Sequence, residues 1–486
     1  MDTRVTGPLA GLLLGGANAF GATALVAAAL YGLDCFAARL HSSWFPRRMR
    51  AQMIAGPWRM VTVVALLAVA CAGCTPSVSA TNAPSAPAPL PSRTATTTSA
   101  SPSTTALNSS SGSPAPVPVT YASQYSALQS QVSSFASIAG MPAPGSSTIM
   151  ASSLEFANAN ILTPNVLAGN DLAYSTAMIK AMKALGETGV TVQVNFPLLL
   201  ASFPDSSTYT SFYSQIAAAV HAAGMTLIVE ANPLFENISS LPVSSLYSGL
   251  NLQSLAADYR AQAQTIINVM TPAYLAFLTE PDTDTALFHN SSLDLNNPGI
   301  GVQFVKGVLA GLDRKGTKVG AGTGTWQDAS YDQSLLADTT IDFLDVHTFP
   351  VAPKDLTNMA AQVAAAQAAH MPIVMTECWL YKESTNGQPG ESVTSAPDEQ
   401  KVETYSFWEP LDSQFLTAMV SYARSNAFAV VSPFSTENFF AYQTWTSALD
   451  AQPESAVRSS FNRAVLQAIQ AGQISGVGET VRQLAG

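Results

Sequence analysis

Two short apolar runs, each ending at a glutamate, decide the fold: residues 273–281 read AYLAFLTEP and residues 371–379 read MPIVMTECW. Apolar runs of this length, with prolines close by, predict buried β-strands. The carboxyl ends of parallel strands meet at one mouth of a barrel, so Glu280 and Glu377 can converge there although they lie far apart in the chain. Two carboxyl groups at one mouth can divide an acid/base role and a nucleophilic role between them.

Similar runs alternate with amphipathic stretches from about residue 148 to the end of the chain. The predicted strands are Thr148–Ser152, Val190–Asn195, Thr226–Glu230, Tyr274–Thr279, Lys318–Ala321, Phe343–His347, Ile373–Thr376 and Ala427–Pro433. The predicted helices are Tyr174–Leu185, Thr208–Ala223, Leu252–Met270, Val302–Leu312, Leu356–Ala369, Ser413–Asn426 and Ala456–Ala471. Eight strands that alternate with helices predict an α/β fold with a parallel sheet, and the number eight favours a closed (β/α)8 TIM barrel. A doubly wound open sheet is the alternative, but no G-x-G-x-x-G or Walker pattern follows any strand.

The first 74 residues have the composition of an export segment. No charged residue occurs from Val5 to Leu33, a length that can span a bilayer. A second apolar stretch, Val61–Ala70, is too short to span and follows four arginines, which is typical of an export signal. The export pattern is complete from Met49 onward. Residues 1–48 are therefore either a first membrane helix or a stretch that precedes the start of translation.

The end of this segment, residues 67–74, reads LAVACAGC and resembles the lipobox of bacterial lipoprotein signal peptides. In that family the cysteine receives a diacylglyceryl anchor and becomes the mature N-terminus. The resemblance implies Cys74 as the lipidated residue, with Cys71 as the alternative. It also implies an exported protein, held at the cell surface or the outer face of the membrane by the lipid or by the first helix. An ordinary secretory signal, cleaved near Ala72, is the competing interpretation.

Residues 75–120 repeat Ser, Thr, Pro and Ala with the single charge Arg93. Such a segment cannot bury enough apolar surface to fold, which predicts a disordered linker before a barrel domain at residues 121–486. That domain has 14 basic and 30 acidic residues, which argues against a nucleic-acid-binding surface. Its one cysteine, Cys378, excludes a disulfide and a cysteine-based zinc site within it. Nothing in the sequence indicates its oligomeric state.

Polar and aromatic residues follow the predicted strands at their carboxyl ends, whereas the opposite ends are ordinary turns. The candidates for substrate contact are Glu155, Asn195, Glu230, Thr279, Trp326, His347 and Trp379. Barrel enzymes place their working groups at this mouth, so we expect a functional site there. No cluster of His, Asp and Glu has metal-ligand spacing in the sequence, so neither a metal nor another cofactor is expected.

The order of these motifs resembles that of clan A glycoside hydrolases, the retaining (β/α)8 enzymes. In that clan the acid/base Glu ends strand four in an Asn-Glu-Pro motif, and the nucleophile Glu ends strand seven. Here Thr279-Glu280-Pro281 matches the first motif in its last two residues, and Thr376-Glu377 matches the second, within about residues 145–445. The resemblance implies hydrolysis of a β-linked oligo- or polysaccharide, with Glu280 as acid/base and Glu377 as nucleophile.

This mechanism makes opposite demands on the two glutamates. Glu377 must be ionised in order to attack, whereas Glu280 must carry a proton for the leaving oxygen. We expect a neighbouring anionic Glu377 and partial burial to raise the pKa of Glu280. The two carboxyl groups of a retaining enzyme stand about 5–5.5 Å apart.

Three positions depart from the clan's pattern. Thr279 replaces the Asn that contacts the sugar hydroxyl next to the anomeric carbon. Phe349 replaces the Tyr of a His-x-Tyr motif, so that Tyr381 or Tyr442 would have to supply the phenol. Phe434 stands where the clan often has a Trp platform. The alternatives are a cell-surface lipoprotein that binds glycan on this barrel without cleaving it, and a two-lobed solute-binding lipoprotein.

Overall fold

The structure is a computed structural model that describes residues 115–140, 147–162, 171–235, 243–349, 351–382 and 399–486. The predicted export segment, both lipidation candidates Cys71 and Cys74, and the predicted linker up to residue 114 lie outside the described residues. Within the described part, Ala115 and Val117 already pack against the hydrophobic core. No helix in the described part is both long enough and apolar enough to cross a membrane.

The sheet consists of eight parallel strands. They are β1 (Ile149–Met150), β2 (Gly189–Gln193), β3 (Thr226–Glu230), β4 (Tyr274–Ala276), β5 (Lys318–Gly324), β6 (Phe343–His347), β7 (Ile373–Cys378) and β8 (Val430–Pro433). From β2 to β8 each strand pairs with the next, and β8 also pairs with β1. Thr191 of β2 then bonds to the chain just after β1: its N–H donates to the Ser152 carbonyl at 2.9 Å, and its carbonyl accepts from the Leu154 N–H at 2.8 Å. These bonds complete the ring, which confirms the predicted (β/α)8 barrel.

Helices surround the strands. They are α1 (Ala122–Ile138), α2 (Ala159–Leu162), α3 (Asp171–Ala184), α4 (Ser206–Ala222), α5 (Ser244–Gly249), α6 (Leu252–Met270), α7 (Pro281–Phe288), α8 (Pro298–Leu309), α9 (Ser330–Asp338), α10 (Pro353–Ala368), α11 (Glu399–Val402), α12 (Glu409–Ser425), α13 (Ser447–Asp450), α14 (Glu454–Ala471) and α15 (Gly476–Ala485). Short 3-10 helices are Val119–Tyr121, Glu155–Ala157, Ser291–Leu293, Ser406–Trp408 and Thr436–Phe439. The bounds of α6 match the prediction because Asn251 and Ser254 form a reciprocal capping box at its start.

The barrel interior changes from apolar to polar along the strands. Side chains two residues apart share a face of a strand, so Ile228 and Glu230 of β3 both point inward. The same spacing places Phe343, Asp345 and His347 of β6 on one face. An apolar layer that includes Ile228, Phe343 and Val374 fills one end of the barrel. The polar residues therefore collect at the carboxyl end, which is the predicted functional mouth.

Two local irregularities shape that mouth. The pairing of β7 with β8 shifts register between Met375 and Cys378, which is a β-bulge. A bulge lets consecutive residues face the same side, so both Thr376 and Glu377 reach the interior. β4 ends at Ala276, earlier than the predicted Thr279, and Leu278 takes a left-handed φ of 57°. Non-glycine residues adopt this conformation only under tertiary constraint, and here it precedes Glu280 by two residues.

Candidate active site

The two predicted catalytic glutamates meet at one histidine. His347 places its Nδ1 atom 2.9 Å from Oε1 of Glu280 and 3.7 Å from Oε2 of Glu377. The distance between those two oxygens cannot exceed the sum of these lengths, about 6.6 Å. Retaining glycosidases hold their carboxyl groups about 5–5.5 Å apart and inverting ones about 6.5–9.5 Å apart. The limit of about 6.6 Å on this oxygen–oxygen distance is compatible with the retaining separation and reaches the lower edge of the inverting range.

Glu280 is held by the start of the helix that follows it. It occupies the N-cap position of α7, with Pro281 as the first helical residue. Its Oε2 accepts a hydrogen bond from the Thr283 hydroxyl at 2.7 Å, while its Oε1 faces His347. The Glu280 side chain is 16% exposed, compared with 7% for Glu377. Of the two carboxyl groups, Glu280 is thus the more accessible to a substrate.

His347 is fully buried and makes contacts on both sides of its ring. Its Nε2 lies 3.1 Å from Oδ2 of Asp345 and 2.9 Å from the Thr376 hydroxyl. Burial alone would lower the pKa of His347, but the carboxylates of Glu377, Asp345 and Glu280 hold it well above its ordinary value. The acids around it therefore favour the protonated form of the ring. Both ring nitrogens face protein oxygens, and His347 contacts both glutamates.

Glu377 sits beside a second buried carboxyl group, Glu230. The Gln193 amide donates to Oε1 of Glu377 and lies 3.5 Å from Oε2 of Glu230. Burial and the negative charge of Glu230 raise the pKa of Glu377 well above its ordinary value. Burial likewise raises the pKa of Glu230. Both carboxyl groups of this pair are therefore harder to ionise than an exposed glutamate.

A chain of polar contacts links this pair to the acid/base position. Asn232 donates from Nδ2 to Oε2 of Glu230 at 2.8 Å, and its Oδ1 accepts from the Thr279 hydroxyl at 2.9 Å. Thr279 is buried and its hydroxyl is already used in this way. Asn232 is partly exposed. The amide of Asn232 therefore follows β3, whereas the Asn in the clan's motif stands at the end of strand four, at the position of Thr279 here.

An aromatic cluster, partly exposed, stands next to the glutamates. Phe349 is its centre, with ring centroids 6.2 Å from Trp326, 6.1 Å from Tyr381 and 5.8 Å from Phe434. Trp326 is fixed by a hydrogen bond from its Nε1 to Oδ2 of Asp282 at 2.9 Å. The Phe349 ring also lies 6.4 Å from His347. Partly exposed aromatic faces of this kind match the C–H face of a sugar ring.

Of the seven predicted substrate contacts, Trp326 alone has a partly exposed side chain. The other six are buried: Glu155, Asn195, Glu230, Thr279, His347 and Trp379. Asn195 accepts from the Ala159 N–H, and Glu155 pairs with Glu437, which together with burial raises its pKa. Neither has a described hydrogen bond to the catalytic pair. Their strand-end positions were predicted correctly, but they support neighbouring loops.

Trp379 belongs to a buried ionic cluster and not to the aromatic cluster around Phe349. Its Nε1 donates to Oε2 of Glu403 at 3.0 Å, and its ring lies 5.3 Å from Nζ of Lys382. Lys382 Nζ in turn lies 2.5 Å from Oδ1 of Asp412 and 2.9 Å from Oε2 of Glu403. The Tyr442 hydroxyl donates to Asp412 at 2.8 Å, so Tyr442 does not replace the phenol missing at Phe349.

Glu230, His347 and Glu377 could be considered as metal ligands, because one ligand atom from each lies within 4.8 Å of the others. A metal would need free lone pairs on these atoms. Both nitrogens of His347 already face protein oxygens, and Gln193 occupies Oε1 of Glu377. A cation here would break those contacts, so the three residues fit a hydrogen-bonded cluster better than a metal centre.

Four residues of the site were not among the predicted substrate contacts: Gln193, Asn232, Asp345 and Thr376. A stricter use of the two-residue period would have found Gln193 and Asp345. Gln193 shares a face of β2 with Thr191, and Asp345 lies between Phe343 and His347 on the inward face of β6. The period would have pointed Thr376 and Glu377 to opposite faces. Only the bulge in β7 brings both into the site.

No protein-family model and no curated protein matches the sequence. Solved structures that match include β-glycosidase BGL167, at 14% identity and a TM-score of 0.39, covering 66% of this chain and 97% of that one. A β-glucosidase from Thermotoga maritima, in complex with deoxynojirimycin, matches at 10% identity and a TM-score of 0.41, covering 61% and 89%. The exo-β-1,4-mannosidase Op5Man5 from Opitutaceae bacterium strain TAV5 matches at 12% identity and a TM-score of 0.42, covering 70% and 59%. The structural neighbours named here are thus described as glycosidases.

Proposed function

We propose that this chain is a retaining glycoside hydrolase that acts on a β-linked oligo- or polysaccharide. The observation that carries the proposal is the shared contact of Glu280 and Glu377 with Nδ1 of His347. It brings together two carboxyl groups that follow strands four and seven, at a distance compatible with the separation that a retaining mechanism needs. The cluster around Phe349 supplies aromatic faces for sugar rings beside them.

The chemistry divides into two displacements. Glu377 attacks the anomeric carbon while Glu280 protonates the leaving glycosidic oxygen, which forms a covalent glycosyl-enzyme ester. Glu280 then takes a proton from water, which attacks the same carbon and releases Glu377. Glu280 has the greater exposure of the two, as a residue that must meet both the leaving group and water requires.

Azide rescue tests the two roles separately. The substrates are 2,4-dinitrophenyl β-glycosides of glucose and mannose, because their leaving group needs little protonation. In Glu280→Ala, azide should replace water in the second step and give a β-glycosyl azide. In Glu377→Gly, azide should occupy the space of the nucleophile and give an α-glycosyl azide. The anomeric configuration of the product therefore identifies each glutamate.

The control is Glu187→Gln, which changes another buried glutamate at the opposite end of the barrel. It should hydrolyse the same glycosides without any effect of azide. Undiminished hydrolysis by both the Glu280 and the Glu377 variants would refute the assignment, and so would the reversed anomers.

Glycan binding without cleavage is the second candidate, and the position of Phe349 favours it. Phe349 packs against His347 at 6.4 Å and has no hydroxyl to donate to the nucleophile. A non-catalytic barrel would still bind oligosaccharides along the aromatic cluster. Calorimetric titration with β-linked oligosaccharides, combined with analysis of the products after prolonged incubation, separates the two. Binding with no released sugar would favour this candidate.

We also propose that the barrel is exported and anchored to the membrane through Cys74, with Cys71 as the alternative. The support is the LAVACAGC stretch and the arginines that precede it. Mass spectrometry of the N-terminal peptide from the native membrane fraction tests this. A diacylglyceryl cysteine at position 74 or 71 is the expected result. An unmodified N-terminus near Ala72 would indicate an ordinary secretory signal instead.

A further inference from the structure

Glu377, the proposed nucleophile, lies where a negative charge is unfavourable. Glu377 must be an anion when it attacks, yet it is buried beside Glu230, whose side chain is fully buried. Two carboxylates this close repel each other strongly in a medium of low dielectric constant. One of them must therefore give up its charge at ordinary pH.

The surroundings of the two residues decide which one carries the proton. Glu377 receives the Gln193 N–H on one oxygen and faces the His347 ring with the other, at 3.7 Å. Glu230 accepts from Asn232 on Oε2, but no donor among the described residues points at its Oε1, which is shielded from solvent. A buried carboxylate oxygen without a donor is costly, whereas a hydroxyl at that position can donate to Glu377.

We propose that Glu230 and Glu377 share one proton and that the reacting form carries it on Glu230, which makes Glu230 the positioning residue that keeps Glu377 anionic and aimed at the substrate. Glu230 performs the task that the clan assigns to a phenol, at a mouth where Phe349 has no hydroxyl. The catalytic part of this inference rests on the proposed function, whereas the shared proton does not.

Other charged groups around the pair are consistent with one shared proton. They are Glu280 after β4, and Asp345 and His347 on β6. β2 contributes the neutral Gln193. The positive His347 offsets one carboxylate, and the shared proton offsets another. The pair then titrates as a unit rather than as two independent glutamates.

Stability against pH tests the shared proton without reference to activity. The native pair keeps one proton that the unfolded chain has lost above about pH 4.3, so the free energy of unfolding falls as pH rises through that range. The slope of unfolding free energy against pH measures how many more protons the native state binds than the unfolded state. Glu230→Gln and Glu377→Gln should each lower this number by one, and the double variant should lower it by no more than either single variant. Urea unfolding of the full chain from pH 5 to 9 measures it.

Glu187 gives the matched control because burial also raises its pKa, to about 8, and its hydrogen-bond partner is Ser152. Glu187→Gln should remove one proton independently, so its effect should add to that of Glu377→Gln. If the Glu230 and Glu377 variants add in the same way as this control pair, or if Glu230→Gln leaves the pH dependence unchanged, the shared proton is refuted.

The catalytic part is tested in the Glu280→Ala background with the better of the two dinitrophenyl glycosides. That leaving group needs no acid, so a fall in the glycosylation rate at high pH reports the loss of the shared proton. Adding Glu230→Gln should abolish this fall. Adding Glu230→Met, which has no donor, should lower the glycosylation rate at least about 100-fold with KM unchanged. A fall that persists with Glu230→Gln would overturn the positioning role, and inactivity of Glu280→Ala toward both glycosides would instead refute the proposed function.

Discussion

Thr279, the residue before Glu280, donates its hydroxyl to Oδ1 of Asn232 at 2.9 Å, and this bond fixes the orientation of the Asn232 amide. The side chain of Thr279 is buried, whereas the side chain of Asn232 is partly exposed. One hydrogen of the Asn232 amide binds Glu230 at 2.8 Å, and the other is available to a ligand. The amide that contacts Thr279 is therefore supplied by the chain that follows the neighbouring strand, β3.

The first prediction concerns this amide. Asn232→Ala should lower kcat/KM by about 10- to 100-fold, because a hydrogen bond to the sugar hydroxyl next to the anomeric carbon strengthens in the transition state. The loss should shrink to a fewfold on a 2-deoxy glycoside, which lacks that hydroxyl. Steady-state kinetics on the matched pair of substrates measures it. An equal loss on both substrates would show that Asn232 acts only through Glu230.

The second prediction concerns His347 and pH. Its folded-state pKa is raised, so its contribution to stability is fully present below the unfolded pKa of about 6.5 and is lost as pH rises through the higher folded value. The difference in unfolding free energy between wild type and His347→Gln should therefore shrink above pH 6.5, by up to about 1.4 kcal/mol per pH unit. Urea unfolding from pH 5.5 to 9 checks this. A difference that grows with pH would contradict a positively charged ring.

The third prediction concerns the cluster of Lys382, Glu403 and Asp412. Lys382→Met should destabilise the fold by about 3–5 kcal/mol, because it leaves the buried Asp412 without its cation. The double variant Lys382→Met/Asp412→Leu should recover much of that loss, since no buried charge is then unpaired at this position. Chemical denaturation of the wild type, Lys382→Met, Asp412→Leu and the double variant measures the coupling. If the loss in the double variant equals the sum of the losses in the two single variants, the ion pair contributes little.

The fourth prediction separates two tryptophans. Trp326→Ala should raise KM about tenfold with little change in thermal stability, because its ring belongs to the partly exposed cluster around Phe349. Trp379→Ala should instead destabilise the fold by about 3–5 kcal/mol, because its ring is buried against Lys382. Kinetics and thermal melts of the two variants, run side by side, check the assignment. A raised KM for Trp379→Ala at unchanged stability would reverse it.

The barrel and the positions of Glu280 and Glu377 could be predicted because buried strands appear in the sequence as apolar runs. A glutamate at the carboxyl end of such a strand lies at the mouth of the barrel. The end of β4 could not be predicted, since the left-handed turn at Leu278 is imposed by its neighbours and not by its own preference. The local sequence did not show that His347 and Trp379 would be buried, because their surroundings include residues distant in the chain, such as Glu280 beside His347 and Glu403 beside Trp379.

The arrangement of this site depends on the one extra residue that the bulge adds to β7. Without the extra residue, the strand would keep its alternation and send the side chain of Glu377 outward toward the helices while Thr376 stayed inside. Deletion of Cys378 would thus leave the apolar residues Ile373–Met375 of β7 in place and turn the Glu377 carboxyl out of the barrel interior. A barrel with this carboxyl group in its mouth and a barrel without it therefore differ by a single residue in β7.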